Sequence, residues 1–171
     1  MKYINKGQKY SSKNTSINKD KLPAIYGKIN WEAFKATKGG VLKILDYGAG
    51  KYTKHIKQFI NSKGLDYFPF DPYNCSDEEN ESALLIHPDI IICSNVLNVV
   101  AEDVIINNIH SYIRAFEVPY FITVWDGNKS KIGGPTRYGY QRNLPTSAYL
   151  FVDEIIRKEV ITLDVYKGYI K

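Results

Sequence analysis

The segment ILDYGAGKYTKHI, residues 44–56, constrains the fold of this chain more than any other. An apolar run ends in Asp46, and Gly48 and Gly50 then lead directly into a stretch whose apolar residues have helical spacing. Glycine lets the backbone turn sharply and pass close to other atoms because it has no Cβ. The pattern predicts a buried strand, a tight turn and a helix, which is the opening unit of an α/β sheet.

The rest of the chain alternates short apolar runs with stretches of helical periodicity. Strands are predicted at 41–46, 67–70, 89–94, 120–125 and 160–166, and helices at 51–63, 101–116 and 146–157. Interleaving of this kind favours an α/β fold, a Rossmann-like three-layer sandwich with a mostly parallel sheet. The acidic segment 74–82 is expected to be an exposed loop or one helical turn. The sheet is therefore expected to have a reduced number of strands for a Rossmann-like fold.

The N-terminal part of the chain differs in charge from the rest. Residues 1–70 contain 14 lysines and no arginine against 4 acidic residues. Residues 1–22 show no sustained period and are expected to form a mobile arm. We therefore divide the chain into a lysine-rich arm with a short helix, 1–38, and a ligand-binding domain, 39–171. The lysines either steer an anionic partner such as nucleic acid or only keep the arm solvated.

Composition excludes several classes of protein. Cys75 and Cys93 form no CxxC pair and the three histidines are scattered, so no metal site is expected. No apolar stretch has the length of a membrane helix, and the first residues lack the apolar segment of a signal peptide. A cytoplasmic protein with reduced thiols and no membrane partner is expected. No pattern indicates the oligomeric state.

Spacing separates the glycine loop from two other glycine-rich loops. A nicotinamide site has glycine at the last position of G-x-G-x-x-G, where this chain has Thr53. A phosphate-binding G-x-x-x-x-G-K-[ST] loop would need glycine at position 45 and serine or threonine at position 52. This chain has Leu45 and Tyr52 there. The remaining alternative is a tight strand-to-helix turn that holds no ligand.

The loop resembles D-x-G-x-G, the first motif of class I S-adenosylmethionine-dependent methyltransferases, and the resemblance covers about residues 41–126. In that family the loop packs against the methionine part of the cofactor, and an acid ending the second strand binds the ribose hydroxyls. Asp71 ends the second predicted strand here, 25 residues after Asp46. The resemblance implies S-adenosyl-L-methionine as cofactor. The implied binding residues are Asp46, Tyr47, Gly48, Ala49, Gly50, Asp71, Pro72, Tyr73, Asn95 and Val96.

A narrower similarity concerns methyltransferases found beside bacterial DNA phosphorothioation genes. The runs that carry it are LDYGAGK, DPYN, VLNVV and TRYGYQR. Ala49 stands where that group has cysteine, and the last run only approximates the group's T-F-Q-K-type segment. This similarity supports a methyltransferase without identifying its substrate.

Catalytic residues are expected after the third predicted strand, where the family usually carries groups that touch the substrate and the transferring methyl. Asn95 and Asn98 would orient an acceptor amine, or else only cap the next helix. Asp126 would act as a base, or else begin a turn. The candidate catalytic residues are Asn95, Asn98, Asp126 and Tyr140. Amino-methylating DNA enzymes carry [DNS]-P-P-[YFW] here, which this chain lacks, so methylation of an exocyclic amine of DNA is not supported.

The segment 127–145 is basic and aromatic, with no acidic residue between Asp126 and Asp153. Arginine pairs with phosphate and tyrosine stacks on bases, so the segment predicts a nucleic-acid surface. A flexible lid or an oligomer contact is the alternative. The candidate substrate-binding residues are Lys129, Lys131, Arg137, Tyr138, Gln141 and Arg142.

Three functions remain open on the sequence alone. The first is a small methyltransferase with an unidentified acceptor, nucleic acid among the candidates. The second is an inactive S-adenosylmethionine-binding module, and the third is a nucleic-acid-binding accessory protein whose glycine turn is architectural. Only 13 residues follow Lys158, enough for one strand where the methyltransferase family normally has a hairpin. An edge strand is therefore expected to be missing at each side of the sheet.

Overall fold

The structure, a computed structural model, is an α/β sandwich. It describes residues 7–16, 19–127, 130, 132–145, 149, 155–157, 160–162 and 164–171. The helices are α1 (Ala24–Lys28), α2 (Trp31–Lys38), α3 (Lys54–Ser62), α4 (Asp77–Leu85) and α5 (Asp103–Arg114), with 3-10 turns at Leu97–Val99 and Asp164–Tyr169. The strands are β1 (Lys43–Tyr47), β2 (Asp66–Phe70), β3 (Ile90–Ser94), β4 (Tyr120–Thr123), β5 (Gly134–Thr136), β6 (Gly139–Gln141), β7 (Ile155–Arg157) and β8 (Val160–Ile161).

The main sheet has the strand order β2-β1-β3-β4-β8-β7. The first four strands are parallel, and β8 runs antiparallel to both β4 and β7. From β1 the chain winds outward to β2 and then crosses to the other side as β3. The winding therefore reverses between β1 and β3, where α/β sheets bind their ligands. The predicted Rossmann-like fold with a mostly parallel sheet is confirmed.

Helices cover both faces of this sheet and bury two separate apolar layers. Residues of α4 and α5, such as Ile109, pack with Leu45 on one face. Residues of α1, α2 and α3, such as Ile60, pack with Ile44 on the other. Successive strand residues point to opposite faces, so the continuous apolar runs of β1 and β3 serve both layers. This explains why those strands read as uninterrupted apolar sequence.

The segment 74–82 is where the prediction of a loop or a single turn is wrong. Helix α4 spans nine residues there, because Ser76 and Glu79 form a capping box in which each side chain accepts from the other's backbone N–H. Three acidic residues in the first turn also suit the positive end of the helix dipole. The connection between β2 and β3 therefore keeps a helix despite its short length.

The C-terminal prediction is also corrected. Strands β7 and β8 form an antiparallel hairpin, so the strand expected to be missing at that side is present, and among the described residues no strand lies beyond β2. Ile155–Arg157 is a strand where the end of a helix over 146–157 was predicted, and most of that predicted helix lies outside the described residues. Strand β8 ends at Ile161, and a 3-10 turn follows where the strand was expected to continue.

The N-terminal region is part of the sandwich. Helices α1 and α2 bury Ile25, Tyr26, Trp31 and Phe34 in the layer beside α3, so residues 23–38 belong to the folded core. The segment 126–145, expected to be one long loop, contains the two-stranded β5–β6 sheet. None of the helices in the described part of the chain combines the length and the apolar character that a bilayer crossing demands.

Candidate functional site

A crevice opens at the carboxyl ends of β1, β2 and β3, at the point where the winding of the sheet reverses. It holds about 770 Å³ of empty space, its open mouth included. The glycine loop after β1, the segment 71–73 after β2 and the segment 94–96 after β3 line it together. Sequence reasoning placed these three segments in one site, and the structure brings them together.

The backbone amides of the glycine loop are all engaged within the protein. The N–H groups of Gly48 and Ala49 donate to the carbonyl of Phe70, at 2.7 and 3.1 Å. The next amide, from Gly50, donates to Asp71 Oδ2 at 2.9 Å, and the one after it donates to a serine hydroxyl. A phosphate-binding loop needs several free amides that point at the ligand. This loop offers none between residues 48 and 51.

The two glycines are required by the packing of the protein itself. Gly48 has φ +79° and Gly50 has φ +69°, conformations that side chains with a Cβ rarely adopt. A Cβ at Gly48 would overlap the side chain of Val96, and one at Gly50 would overlap the hydroxyl of Ser16. Sequence reasoning predicted a tight turn at both glycines, and their positive φ values and close contacts within the protein agree with it.

The carboxylate of Asp71 lines the crevice and is held by internal donors. Its Oδ1 accepts from the N–H of Tyr73 at 2.8 Å, and from the N–H and side-chain amide of Asn74 at 3.0 and 3.1 Å. Its Oδ2 accepts from the N–H of Gly50. Since each carboxylate oxygen has two lone-pair sites, Oδ2 keeps room for one further donor.

Helix α4 holds the backbone of Asp71 in place through Asn80. The amide of Asn80 is 1% exposed; it accepts from the N–H of Asp71 at 2.9 Å and donates to its carbonyl at 3.1 Å. Sequence reasoning missed this residue because α4 was not predicted. An asparagine among acidic residues, nine positions after the candidate acid, was the available signal.

Asp46 forms the floor of the crevice and is almost fully buried. The hydroxyl of Tyr67 donates to its Oδ2 at 2.6 Å. Burial raises the pKa of Asp46 to about 6, although the hydrogen bond from Tyr67 and the nearby hydroxyl of Tyr26 lower it. The neighbouring carboxylate of Asp71 raises it further. Among the described residues that line the crevice, the two carboxylates are accompanied by no lysine or arginine.

The loop after β3 forms the opposite wall. Asn95 is exposed and has φ +59°, an unusual conformation for a residue with a side chain. Asn98 is buried; its side chain donates to the side-chain carbonyl of Asn95 at 3.1 Å and accepts from the N–H of Trp125 at 2.9 Å. Asn95 therefore remains a candidate for contact with a substrate. Asn98 holds the ends of β3 and β4 together.

The N-terminal segment covers the crevice, which sequence reasoning did not foresee. Ser12, Thr15 and Ser16 line the crevice, and Ser16 accepts from the N–H of Lys51 at 3.2 Å. Tyr10 stacks on Tyr140 of β6, with ring centroids 5.3 Å apart. Residues 7–16, expected to be part of a mobile arm, are thus joined to both the glycine loop and the β5–β6 sheet.

Two residues expected to touch a ligand have other positions. Tyr47 is 1% exposed and packs in the core against Phe70 and Tyr112, because odd-numbered residues of β1 point away from the crevice floor. Arg142, expected to contact substrate, is 9% exposed and pairs with Asp103 at the start of α5. Its guanidinium also donates to the backbone there, so it ties the basic segment to the sandwich.

The remaining expected residues are dispersed. Asp126 does not line the crevice. Arg137 and Tyr138 are exposed at the turn between β5 and β6, with the guanidinium 5.6 Å from the ring centroid. Gln141 lines a shallow groove beside Trp125. Lys129 and Lys131 lie outside the described residues.

A second groove adjoins the crevice and shares the wall formed by Ser94 and Asn95. It holds about 430 Å³ of empty space and is also lined by Lys28, Trp125 and the end of β4. The side chains of Ser94 and Thr123 contact each other at its base, with their hydroxyl oxygens 3.2 Å apart. The two depressions thus adjoin each other at the carboxyl edge of the sheet.

No protein-family model, curated protein or solved structure matches this chain.

Proposed function

We propose that this chain is a small S-adenosylmethionine-dependent methyltransferase. The observation that carries the proposal is an acidic crevice at the reversal of the sheet, whose glycine loop has no amide left for a phosphate. Dinucleotides and nucleoside triphosphates are anions that such loops bind through free amides and cations. S-adenosylmethionine instead carries a sulfonium and an ammonium, which suit a site lined by carboxylates.

The residues present fit this cofactor in charge and in hydrogen bonding. The remaining acceptor position on Asp71 Oδ2 suits a ribose hydroxyl, and Asp46 places a second negative charge on the floor. Lys51 does not line the crevice; its ammonium lies 5.2 Å from the ring centroid of Tyr52.

When bound, the cofactor supplies a methyl group made electrophilic by the positive sulfur. In the transfer, a lone pair of the acceptor forms a bond to the methyl carbon as the carbon–sulfur bond breaks, and that electron pair neutralises the sulfur. An acceptor atom that carries hydrogen then releases a proton to water. The protein's contribution is to align the acceptor with the methyl and to exclude side reactions. The wall of Ser94 and Asn95, shared by the crevice and the second groove, is where that alignment would occur.

Titration calorimetry with S-adenosylmethionine and S-adenosylhomocysteine tests the binding. We expect both to bind, NAD and ATP not to bind, and Asp71→Asn to lose at least tenfold in affinity. Asp66→Asn is the matched control, because Asp66 is exposed at the other end of the same strand. If neither compound binds, or if Asp71→Asn binds as tightly as the wild type, the proposal is wrong.

Asp71→Asn also disturbs the hydrogen bond to the N–H of Gly50, so a second measurement isolates the ribose contact. An S-adenosylhomocysteine analogue that lacks the ribose hydroxyls should bind the wild type more weakly than the parent compound. The Asp71→Asn variant should distinguish the two compounds much less, as in a double-mutant cycle. Equal discrimination by both proteins would show that Asp71 does not hold the ribose.

Transfer of labelled methyl to total RNA, DNA and protein tests the reaction and identifies the acceptor class. The second candidate function is an S-adenosylmethionine-binding module without transferase activity. It is favoured by the second groove, whose described lining contains no carboxylate or histidine to accept a proton. Binding without any label transfer would support that candidate.

We place the protein in the cytoplasm, where the free thiols of Cys75 and Cys93 would stay reduced.

A further inference from the structure

Trp125 connects the second groove to a third depression beneath the β5–β6 sheet. It follows the end of β4, lines both grooves and is 39% exposed despite its size. The second groove in turn shares Ser94 and Asn95 with the crevice. An indole surface therefore lies in the groove that adjoins the proposed methyl-donor site.

Other exposed apolar side chains belong to the same chain segment as this indole. Among the described residues, Trp125, Ile132 and Tyr138 are exposed large apolar side chains of the single segment that joins β4 to β6. Ile132 lines the third depression together with Trp125. Solvent-exposed aromatic residues beside a cleft are typical of sites that bind flat, apolar ligand faces.

The crevice and the second groove differ in the charge of the residues that line them. The crevice is lined by two carboxylates, whereas the charged residue among the described lining of the second groove is Lys28. Arg137 is exposed on the β5–β6 turn, and the first 70 residues are rich in lysine. A lysine beside an exposed aromatic surface is a combination that suits single-stranded nucleic acid, in which bases stack on aromatic rings and phosphates meet cations.

We propose that the second groove binds one unstacked nucleobase of a single-stranded nucleic acid, with the indole of Trp125 as its stacking surface. Lys28 lies where it can neutralise the adjoining phosphate, and the side-chain amide of Asn95 can pair with the base edge. A base inside a duplex would first have to leave its stack to reach the groove. The inference deepens the proposed function and rests on it, because the base on Trp125 is the methyl acceptor.

Fluorescence anisotropy with a labelled single-stranded oligonucleotide of 12 nucleotides tests the binding. Trp125→Ala should weaken binding about tenfold, since stacking dominates such contacts. Leu85→Ala, which removes an 86% exposed apolar side chain from the end of α4, should leave affinity unchanged. Lys28→Gln should reduce the slope of log affinity against log salt concentration by the amount expected for about one phosphate contact. Lys57→Gln, on the exposed face of α3, should leave this slope unchanged.

Intrinsic fluorescence gives a direct readout of the stacking surface. The chain has two tryptophans, and Trp31 is buried in the core at 4% exposure. Quenching by the oligonucleotide should therefore come from Trp125 and disappear in Trp125→Phe, apart from any residual change in Trp31. Quenching that persists unchanged in Trp125→Phe would contradict the placement of a base on this indole.

Three further outcomes separate this inference from the proposed function. If the oligonucleotide does not bind while S-adenosylmethionine does, or if Trp125→Ala binds it as tightly as the wild type, the inference is wrong and the methyl-donor site stands. Equal affinity for a matched duplex, or for a free mononucleotide, would overturn the single-stranded ligand. If the oligonucleotide binds through Trp125 but no methyl donor binds, the proposed function and the acceptor role fail together, and the base contact alone is upheld.

Discussion

The fold buries the carboxylate of Asp46, and the effect of this burial on the stability of the protein depends on pH. An unfolded chain ionises an aspartate near pH 3.9, whereas burial raises the pKa of Asp46 to about 6 in the native state. Between these two values the native protein holds a proton that the unfolded chain has lost. The raised pKa therefore stabilises the fold below about pH 4, and this advantage is lost as the pH rises through about 6.

We expect Asp46→Asn to remove this pH dependence. The difference in unfolding free energy between variant and wild type should shift in favour of the variant by about 2 kcal/mol from pH 4 to pH 7. The amide can still accept from the hydroxyl of Tyr67. Urea unfolding at several pH values measures the shift, with Asp66→Asn as an exposed control. A difference that stays constant across this range would contradict the burial effect.

Gly48 provides a test of packing that needs no ligand. In Gly48→Ala the new Cβ would overlap Val96, and the residue would keep a φ of +79°. We expect a loss of about 2 kcal/mol in unfolding free energy. Gly27→Ala is the matched control, because no atom lies within 4 Å of the added Cβ, and it should be neutral or stabilising. Equal stability of both variants in urea would show that Val96 does not constrain the loop.

At the level of single residues, sequence reasoning predicted which segments meet at the crevice but not the contacts that they make. The spacing of Asp46, Gly48 and Asp71 sufficed to place them at one sheet edge, because strand ends follow from apolar patterning. The burial of Arg142 depends on Asp103, 39 residues earlier in the chain, and only folding brings the two together. Local sequence cannot distinguish such an arginine from an exposed one.

Among the elements, α4 is the helix that connects stability with the candidate site. Asn80→Ala would leave the N–H of Asp71 without its buried acceptor, whereas the carbonyl of Asp71 would keep the N–H of Cys75 as a donor. We expect a loss of about 1–3 kcal/mol in stability and a weaker affinity for S-adenosylhomocysteine. Glu81→Ala, on the exposed side of the same helix, is the control. Unchanged unfolding and unchanged calorimetric affinity in Asn80→Ala would rule out this positioning role.

Elements were predictable where their apolar residues repeat regularly. Helix α5, predicted at 101–116, is observed at Asp103–Arg114, because its buried isoleucines form a clear stripe. Helix α4 has no such stripe: its buried residues are Asn80 and Ala83, and its capping box provides the main signal. The hairpin of β7 and β8 was missed because its strands have only three and two residues, too few for a periodic pattern.

At the scale of the whole molecule, the N-terminal segment links distant parts of the surface. The N–H of Lys9 donates to Glu102 at 2.8 Å, Tyr10 stacks on Tyr140, and Ser16 bonds to the glycine loop. These contacts lie at the exposed surface and involve few side chains, so the segment is expected to open more readily than the core. A ligand in the crevice would add contacts with Ser12, Thr15 and Ser16.

Limited proteolysis should report that coupling. We expect S-adenosylhomocysteine to slow tryptic cleavage after Lys9 and Lys13, because a ligand that binds the closed segment stabilises it by mass action. Mass spectrometry over a time course measures the rate, with NAD as the control compound. Identical rates with and without S-adenosylhomocysteine, at a concentration that saturates the crevice, would separate the segment from the ligand site.

The four internal donors to Asp71 have one more consequence. A carboxylate that is already held by Gly50, Tyr73 and Asn74 has a single rotamer before anything binds. A sugar hydroxyl that binds this carboxylate therefore fixes no further torsion of the Asp71 side chain. The side-chain conformational entropy that binding normally costs has already been lost during folding. The proposed contact between Asp71 and a ribose would therefore be preorganised.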